Sequence, residues 1–408
     1  MYQFPENITD RRLAEEVLSG RRCVALYGRY PFDDSYVDEL LDAGVHVTAL
    51  FDSSYSHTCP PSSLRGIPIR PPEKLDEYQG ILVICGNGHY FELEAYAKKC
   101  GISEILPYYF LYSGRTFTME AYRRIYQIGN VARTHFIHRE YPKTVFINSL
   151  ELAITHRCTL NCEKCANMIS YFEHPADADL ESMKDAVCKI LEANVYISEL
   201  RILGGEPLLN RELVQYLDLI TQFDNVGLIS IMTNGTILPS PELIRCLWDQ
   251  RVYVTISNYG SLSKNLSNIT DMFDAEHILY RVYEMDGWRD CNTIEYEEMD
   301  SAALERKYCN CSVNNCYTLH NGRLYRCPYN AGVSILQAVP EEVLDYLRID
   351  TLEPEQVEEA MQSFMQVRSS QICKFCKGRP KAVVDIEAAK QARRKHPYRK
   401  YNYDNKER

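Results

Sequence analysis

The 408-residue chain lacks any stretch approaching ~18 uncharged apolar residues, the length that a membrane-spanning helix needs. Its first residues, MYQFPENITDRRLAEEV, have neither the basic start nor the apolar run of a signal peptide. Positive charge is scarce too, because 45 Lys and Arg residues face 56 Asp and Glu residues and leave a net charge of −11. A general nucleic-acid binder carries the opposite balance. We therefore expect a cytoplasmic protein that binds neither nucleic acid nor membrane.

Residues 1–110 lack the G-x-G-x-x-G fingerprint of dinucleotide-binding folds, although apolar strands alternate with helix-like stretches along them. This alternation predicts a Rossmann-like parallel α/β domain. Such sheets place ligands at the carboxyl ends of their strands, here near Gly28, Asp52 and Gly86. Without the fingerprint, a docking role is favoured over nucleotide binding. Residues 111–143 are polar and rich in Tyr and Arg, and we interpret them as a linker.

From Thr144 onward, nearly continuous apolar strands alternate with helical stretches. Strands of this kind are expected when helices cover a parallel sheet. The predicted fold class is therefore α/β, with a partial (β/α)6 TIM-like barrel over residues 144–300 and its site at the carboxyl ends of the strands. Residues 301–408 follow as a small C-terminal cap that ends in a basic, Tyr-rich tail.

The 16 cysteines are numerous for a cytoplasmic chain, where disulfides are rare. Nine of them fall into three groups, which require a metal explanation. The remaining seven are scattered, and we interpret them as small buried hydrophobes. These seven are Cys23, Cys59, Cys85, Cys100, Cys188, Cys246 and Cys291.

The first group, Cys158, Cys162 and Cys165, has C-x3-C-x2-C spacing in the loop after the first barrel strand. Structural zinc sites generally use four ligands from paired elements. One compact loop with three thiolates instead suits a 4Fe-4S cluster that leaves one iron open. An open iron can chelate a small molecule through an amino group and a carboxylate.

Three further motifs stand at the ends of the next three strands, in the order Gly204-Gly205-Glu206-Pro207, Thr233-Asn234-Gly235 and Ile256-Ser257-Asn258. Together with the cysteine loop, this arrangement resembles the radical S-adenosylmethionine (radical SAM) superfamily. The resemblance covers about residues 145–290. It implies a fold with a 4Fe-4S cluster and bound S-adenosylmethionine as cofactors.

The resemblance also assigns roles to single residues. Gly204, Gly205, Glu206 and Pro207 are similar to the family motif that binds the methionine amino group, while Asn234 and Ser257 resemble its ribose and carboxylate sites. The absence of a Cβ at the two glycines lets backbone approach a ligand. A carboxylate accepts charge-assisted hydrogen bonds from an ammonium group. The chain departs from the family at Lys164, where an aromatic residue or His commonly covers adenine.

The C-terminal cysteines occur in CNCSVNNCYTLHNGRLYRC and, further on, in CKFC. The first segment predicts a β-hairpin that turns at Asn321-Gly322. The pattern resembles the twitch or SPASM extension of radical SAM enzymes, which holds an auxiliary 4Fe-4S cluster. The ligands implied are Cys309, Cys327, Cys373 and Cys376, with Cys311 or Cys316 as alternatives to Cys309. Four thiolates also suit zinc, which is the competing interpretation.

The resemblance implies an oxidoreductase that cleaves S-adenosylmethionine reductively and abstracts hydrogen from a C–H bond. The expected substrate is a sugar, alcohol or amino sugar, and an external donor such as flavodoxin or ferredoxin is expected to supply electrons. One alternative is the maturation of a ribosomally made peptide by cross-linking or epimerisation. Another is a non-enzymatic iron–sulfur electron carrier. Catalytic residues are not identified by the motifs.

Overall fold

The structure is a computed structural model that describes residues 2–3, 10–28, 35–52, 63–85, 90–314, 316–379 and 385–392. The chain forms two compact units, Met1–Arg139 and Glu140–Arg408. Gly86 and most of the basic tail lie outside the described residues. Within those ranges, no helix has the length and apolarity to cross a membrane.

The first unit is built on a mostly parallel sheet with the strand order β4-β5-β3-β2-β6-β7. Its strands are β2 (Val24–Tyr27), β3 (Val47–Phe51), β4 (Ser63–Leu64), β5 (Ile67–Arg70), β6 (Ile81–Ile84) and β7 (Ile105–Pro107), and a separate pair joins β1 (Tyr2–Gln3) to β8 (Thr116–Phe117). Its helices are α1 (Arg11–Leu18), α2 (Ser35–Asp42), α3 (Tyr90–Lys99) and α4 (Met119–Glu140).

Both faces of this sheet are covered, as a parallel sheet requires. Successive residues of the central strand β2 alternate between two separate cores. Leu26 packs in one core and Ala25 in the other, and neither side chain is exposed. The Rossmann-like parallel arrangement predicted from the sequence is confirmed in this unit.

The segment at 111–143 is not the linker expected from its polarity, because α4 occupies most of it. Ile125 and Ala132 of α4 are buried in a core of the first unit. His135 is also buried, and its Nδ1 lies 3.1 Å from the hydroxyl of Tyr109. The sequence does not show this helix clearly, because tyrosine and histidine interrupt the aliphatic stripe that would normally mark a buried face.

The second unit contains an eight-stranded sheet with the order β13-β12-β11-β10-β9-β15-β16-β17. The strands are β9 (Val145–Thr155), β10 (Val195–Gly204), β11 (Val226–Thr233), β12 (Val252–Asn258), β13 (Tyr280–Glu284), β15 (Cys316–His320), β16 (Arg323–Tyr325) and β17 (Tyr346–Arg348). A further pair joins β14 (Trp288–Arg289) to β18 (Asp385–Ile386). The helices are α5 (Leu180–Glu192), α6 (Leu213–Ile220), α7 (Pro241–Cys246), α8 (Leu266–Ala275), α9 (Ser301–Cys309), α10 (Pro328–Ile335) and α11 (Pro354–Met365).

Six of these strands, β13 to β9 and then β15, run parallel, as the predicted partial (β/α)6 arrangement requires. The sixth, β15, lies beyond the predicted barrel bounds of 144–300. In the residues that the structure describes, the sheet stays open. One face of each parallel strand packs under the helices; Leu152 and Ile202 on that face are fully buried. The other face, inside the curve of the sheet, carries polar residues such as Glu151 and Arg201.

The boundary expected at residue 301 does not separate two sheets, because the hairpin of the C-terminal cap extends the barrel sheet. Cys316 of β15 pairs with Ser149 of β9, and β16 follows antiparallel. The predicted turn is confirmed at Asn321 and Gly322, whose φ angles of 44° and 75° are those a tight hairpin turn requires. The cap is therefore continuous with the barrel through its hairpin.

A buried ion pair fixes the chain next to Cys327. The Arg326 side chain is 2% exposed, and its guanidinium donates to the carboxylate of Asp345 and, at 2.8 Å, to the carbonyl of Phe364. The same group lies 3.9 Å from the centre of the Phe364 ring. These contacts connect β16 to α11 and to the segment before β17.

Asp345→Asn leaves this guanidinium buried without its counter-charge. Loss of one partner of a buried pair costs ~3–5 kcal/mol, and we expect a value near the lower end because the Asp345 side chain is 23% exposed. Urea denaturation of the metal-free protein measures the change. Arg348→Met is the matched control, since it breaks an exposed pair with Asp350 that is worth at most ~1 kcal/mol. Equal losses in the two variants would contradict the role given to burial.

Candidate functional site

The three cysteines of the first group lie in the loop that follows β9. A negative charge at Cys165 or Cys162 would raise the pKa of Cys158, which is a smaller influence than burial. Burial is the larger influence and raises the pKa of Cys158 to about 12 and that of Cys162 to about 11. The free thiols are therefore neutral at pH 7, and metal binding must displace their protons.

Gly204, the last residue of β10, and Gly205 lie so close to neighbouring backbone that no side chain fits at either position. A Cβ on Gly204 would collide with the carbonyl of Thr155, and a Cβ on Gly205 would collide with the carbonyl of Arg157. The close approach allows the amide of Gly205 to donate to Thr155 at 2.9 Å and the amide of Glu206 to donate to Arg157 at 2.8 Å. The glycines thus dock the end of β10 against the start of the cysteine loop, whereas the expectation from sequence was approach to a ligand.

Glu206 is fully buried, and its carboxylate joins two of the predicted motifs. One oxygen accepts from the Thr233 hydroxyl at 2.8 Å and from the Leu208 amide at 3.1 Å, while the other accepts from the Asn234 amide at 2.8 Å. Burial raises the pKa of this carboxyl, and the three donors oppose that rise. Since a carboxylate has about four acceptor positions, a ligand ammonium has at most one left. Pro207, which is also buried, begins the short turn that follows.

Asn234 and Ser257 reach the same end of the sheet but differ in their contacts. The Asn234 amide nitrogen lies 3.6 Å from Cys158 Sγ and donates to Thr159 at 3.1 Å, and its oxygen accepts from Thr236. Asn234 therefore contacts the cysteine loop directly. Ser257 is partly exposed, and its side chain hydrogen-bonds to Tyr259, whose pKa burial raises to about 12.

The side chain of Lys164, the position that departs from the family, contacts other residues of the protein. Its ammonium lies 3.2 Å from Asp290 and 3.2 Å from the Thr293 hydroxyl. The neighbouring Asn292 donates to the carbonyl of Cys165 at 3.1 Å. The segment that follows β14 thus holds the third cysteine in place, and Lys164 contributes to that attachment.

Four other cysteines converge in the cap. Burial is the main cause that raises the pKa of Cys327, and the charges of Cys373, Cys376 and Cys311 raise it further. Burial also raises the pKa of Cys373 to about 12 and that of Cys376 to about 11, and Cys311 influences both. Cys327, Cys373 and Cys376 also pack against the same hydrophobic cluster of the cap.

The structure places the other two candidates elsewhere. Cys309, ranked first from the sequence, is the exposed last residue of α9. Cys316 is buried in β15, where its thiol donates to Glu151 at 3.1 Å. Cys311 is the candidate whose charge influences Cys327, Cys373 and Cys376. The chain turns after α9, where the Cys311 amide donates to the carbonyl of Tyr308 at 3.1 Å. The spacing in the sequence does not reveal this turn.

Among the described residues, no group of three His, Cys, Asp or Glu side chains is arranged to hold a single metal ion. Each sulfur ligand of a four-iron cluster binds a different iron, whereas one tetrahedral ion binds all of its sulfur ligands itself.

The interior of the curved sheet holds charged residues that the motifs did not reveal. Glu151 of β9 is 7% exposed; it accepts from Cys316 and, at 3.4 Å, from Thr318, and it lies 3.8 Å from Arg201. Burial is the largest influence on the Glu151 carboxyl and raises its pKa. Alternation along β9 places this residue inward, but an acidic residue in a strand is not by itself a signal of function.

Arg379, three residues after Cys376, lies between the groups. Its positive charge lowers the pKa of Cys165 in the barrel, of Cys376 in the cap and of Glu151 in the interior, although burial raises each one overall. Its side chain is half-buried, and in the described part of the chain no side-chain hydrogen bond or ion pair of its guanidinium is found. A cation in this position is available to an anionic or oxygen-rich group.

The aromatic residues near the loop are structural. His156 stacks on Phe172 with ring centres 4.3 Å apart, and burial lowers the pKa of His156 to about 3, so the ring is neutral. His174 is exposed. Among the scattered cysteines, Cys85 and Cys291 are buried as expected, Cys23 is exposed, and Cys59 lies outside the described residues.

Comparison with known proteins identifies the class of this site. Residues 152–258 match the family described as "Radical SAM superfamily". This segment runs from β9 to the end of β12 and includes the cysteine loop and all three strand-end motifs. Residues 152–258 are therefore a radical SAM domain, and the superfamily implies a 4Fe-4S cluster and S-adenosylmethionine as its cofactors.

Named relatives match only parts of the chain. The GTP 3′,8-cyclase of Alkaliphilus oremlandii (strain OhILAs) is 32% identical over 141 residues, which are 31% of this chain and 43% of the relative. The PqqA peptide cyclase of Rhodopseudomonas palustris (strain ATCC BAA-98 / CGA009) is 29% identical over 111 residues, 27% of this chain and 28% of that protein. The crystal structure of BtrN in complex with AdoMet and 2-DOIA aligns with a TM-score of 0.43 and 15% identity, covering 59% of this chain and 100% of that one.

The two cysteine assignments in the cap can be separated by paired variants. Cys311→Ser should lower the iron content of the anaerobically purified protein by about four atoms, because a four-iron cluster loses one of its thiolates. Cys309→Ser is the matched control, two residues away and exposed, and should leave the iron content unchanged. Iron and sulfide analysis gives the answer, and the reverse pattern would return the fourth position to Cys309.

Proposed function

We propose that this chain is a radical SAM enzyme that oxidises a hydroxyl-bearing substrate, such as a sugar, alcohol or amino sugar, within the curve of its second sheet. The observation that carries the proposal is the buried Glu151 carboxylate, enclosed by polar side chains and near Arg379, which also influences both cysteine groups. A polar interior favours a substrate rich in hydroxyl groups over an apolar one. The expected reaction is a two-electron oxidation.

Oxidation of an alcohol to a carbonyl removes one hydrogen atom from carbon, one proton from oxygen and one electron. When bound, the 4Fe-4S cluster and S-adenosylmethionine supply hydrogen-atom abstraction, and an auxiliary cluster in the cap supplies the electron acceptor. The protein must then take the proton. Glu151 is suited to this step, because burial raises its pKa towards the range in which a carboxylate acts as a base at neutral pH.

Arg379 is assigned to substrate positioning. A guanidinium presents donors in a fixed fork, and here no protein acceptor occupies them among the residues described. In its position near Cys165, Cys376 and Glu151, it can hold an oxygen of the substrate between the two cysteine groups. The expected electron donor, flavodoxin or ferredoxin, and the cytoplasmic location belong to the same proposal.

The named relatives keep a second class open. A peptide cyclase is among the proteins that this chain resembles in part, so a peptide substrate is the alternative. An electron carrier is the non-enzymatic alternative. The interior charges favour a small polar substrate over both, because a carrier has no use for a buried base and an enclosed cation.

Incubation of the reduced, anaerobically prepared protein with S-adenosylmethionine should release 5′-deoxyadenosine. The Cys158/Cys162/Cys165→Ala variant should release none and should retain about four of about eight irons, those of the cap. Chromatography and iron analysis measure both quantities. A wild-type protein that holds its iron but forms no 5′-deoxyadenosine would favour the carrier, and zinc in place of iron would exclude the proposed chemistry.

Substitution of the base should alter the pH profile of substrate oxidation. As pH rises through the raised pKa of Glu151, the carboxyl loses its proton and becomes a base, so kcat should increase. The charged or titratable groups that influence Glu151 are Arg201, Arg379 and the Cys316 thiol. Glu151→Gln should remove this limb and lower kcat by ~10²–10⁴-fold. Glu199→Gln, a charge change in the neighbouring strand, should retain the limb. An unchanged profile in Glu151→Gln would rule out the assigned base.

A further inference from the structure

A segment near the C-terminus returns to the first cysteine loop. Residues 385–392, here called the C-terminal strap, begin with β18, which pairs with β14 through Ile386 and Trp288. The strap then crosses the loop, where Gln391 forms a β-bridge with Cys162. Ala389 is 2% exposed and adopts φ +52°, a conformation that surrounding contacts must impose on a residue with a Cβ.

Backbone hydrogen bonds fix the register of this crossing. The amide of Glu163 donates to the carbonyl of Lys390 at 2.7 Å, and the amide of Ala392 donates to the carbonyl of Asn161 at 2.7 Å. The two bonds flank Cys162 on either side. An exposed ion pair of 3.0 Å between Lys390 and Glu163 adds a weaker contact. The strap therefore meets the loop at one defined position.

The side chain of Gln391 donates a hydrogen bond to the sulfur of Cys162. The backbone amide of Asn161 can only donate, and it lies 2.9 Å from Gln391 Oε1, which fixes the orientation of the side-chain amide. Gln391 Nε2 consequently faces Cys162 Sγ at 3.0 Å and also donates to the carbonyl of Ala389 at 2.7 Å. Cys162 lies 229 residues earlier in the chain and is 7% exposed.

We propose that Gln391 is a tuning residue, which sets the reduction potential of the cluster bound by the Cys158 loop through its hydrogen bond to Cys162. The inference rests on the proposed iron–sulfur site and adds a determinant outside the cysteine motif. Reduction adds one electron to the cluster and its thiolates. A donor aimed at a ligand sulfur stabilises the more negative, reduced state and raises the potential.

Because a hydrogen bond to a charged group is stronger than a neutral one, its loss should be measurable. Gln391→Leu removes the donor with a similar side-chain length, and Gln391→Glu replaces it with an acceptor that carries negative charge. Both variants should shift the midpoint potential to more negative values. For Gln391→Leu we expect about a tenfold change in the equilibrium constant of one-electron reduction, or ~59 mV, and a larger shift for Gln391→Glu.

The experiment is an anaerobic redox titration of the full-length protein followed by electron paramagnetic resonance. The signal of interest is the one absent from the Cys158/Cys162/Cys165→Ala variant. Lys390→Ala is the matched control, since it breaks the exposed ion pair and leaves Gln391 in place, so its potential should equal that of the wild type. Iron content confirms that each variant retains its clusters.

Potentials in both Gln391 variants equal to that of the wild type would overturn the inference. An equal shift in Lys390→Ala would overturn it as well, because the effect would then come from the docking of the strap. A wild-type protein without any cluster at the loop would refute the proposed function itself, and that result is distinct from a loaded cluster with an unchanged potential.

Discussion

The carboxylate of Glu206 holds the candidate site together. It accepts hydrogen bonds from Thr233 and Asn234 at the end of β11 while standing at the end of β10. Asn234 in turn contacts Cys158. One buried acceptor thus connects two strand ends to the cysteine loop, and the glycines before it let the strand and the loop dock. An unpaired donor in this position would cost ~1–3 kcal/mol, so the motif is constrained by folding as well as by any ligand.

The order of the barrel elements was predictable because their signals are local. Continuous apolar strands, helices at 3.6-residue spacing and the Asn-Gly turn are properties of short segments, and the structure contains them where they were expected. The positions of Cys158, Cys162 and Cys165 in one loop were predictable for the same reason. The orientation of the Glu206 carboxylate was not predictable, because it depends on hydrogen-bond donors 27 and 28 residues away in the chain.

The residues that the sequence did not reveal depend on contacts across the fold. Cys309 and Cys311 differ by two positions, and the turn after α9 separates an exposed cysteine from a half-buried one that influences Cys327. Arg379 belongs to no motif, and its proximity to Cys165 requires the cap to fold back on the barrel sheet. α4 shows the same limit in the first unit, where a polar composition concealed a helix with a buried face.

The negative charges expected in the second unit must be balanced by nearby cations. Two clusters with thiolate ligands and the Glu151 carboxylate would concentrate negative charge in a region of low dielectric, where like charges repel strongly. Arg201 of β10 and Arg379 of the cap offset part of that charge, and Lys164 of the first cysteine loop pairs with Asp290. Arg201 is already paired with Glu199, whereas Arg379 has no such partner among the described residues. Arg379 is therefore the cation that we propose as the contact for a substrate oxygen near the two cysteine groups.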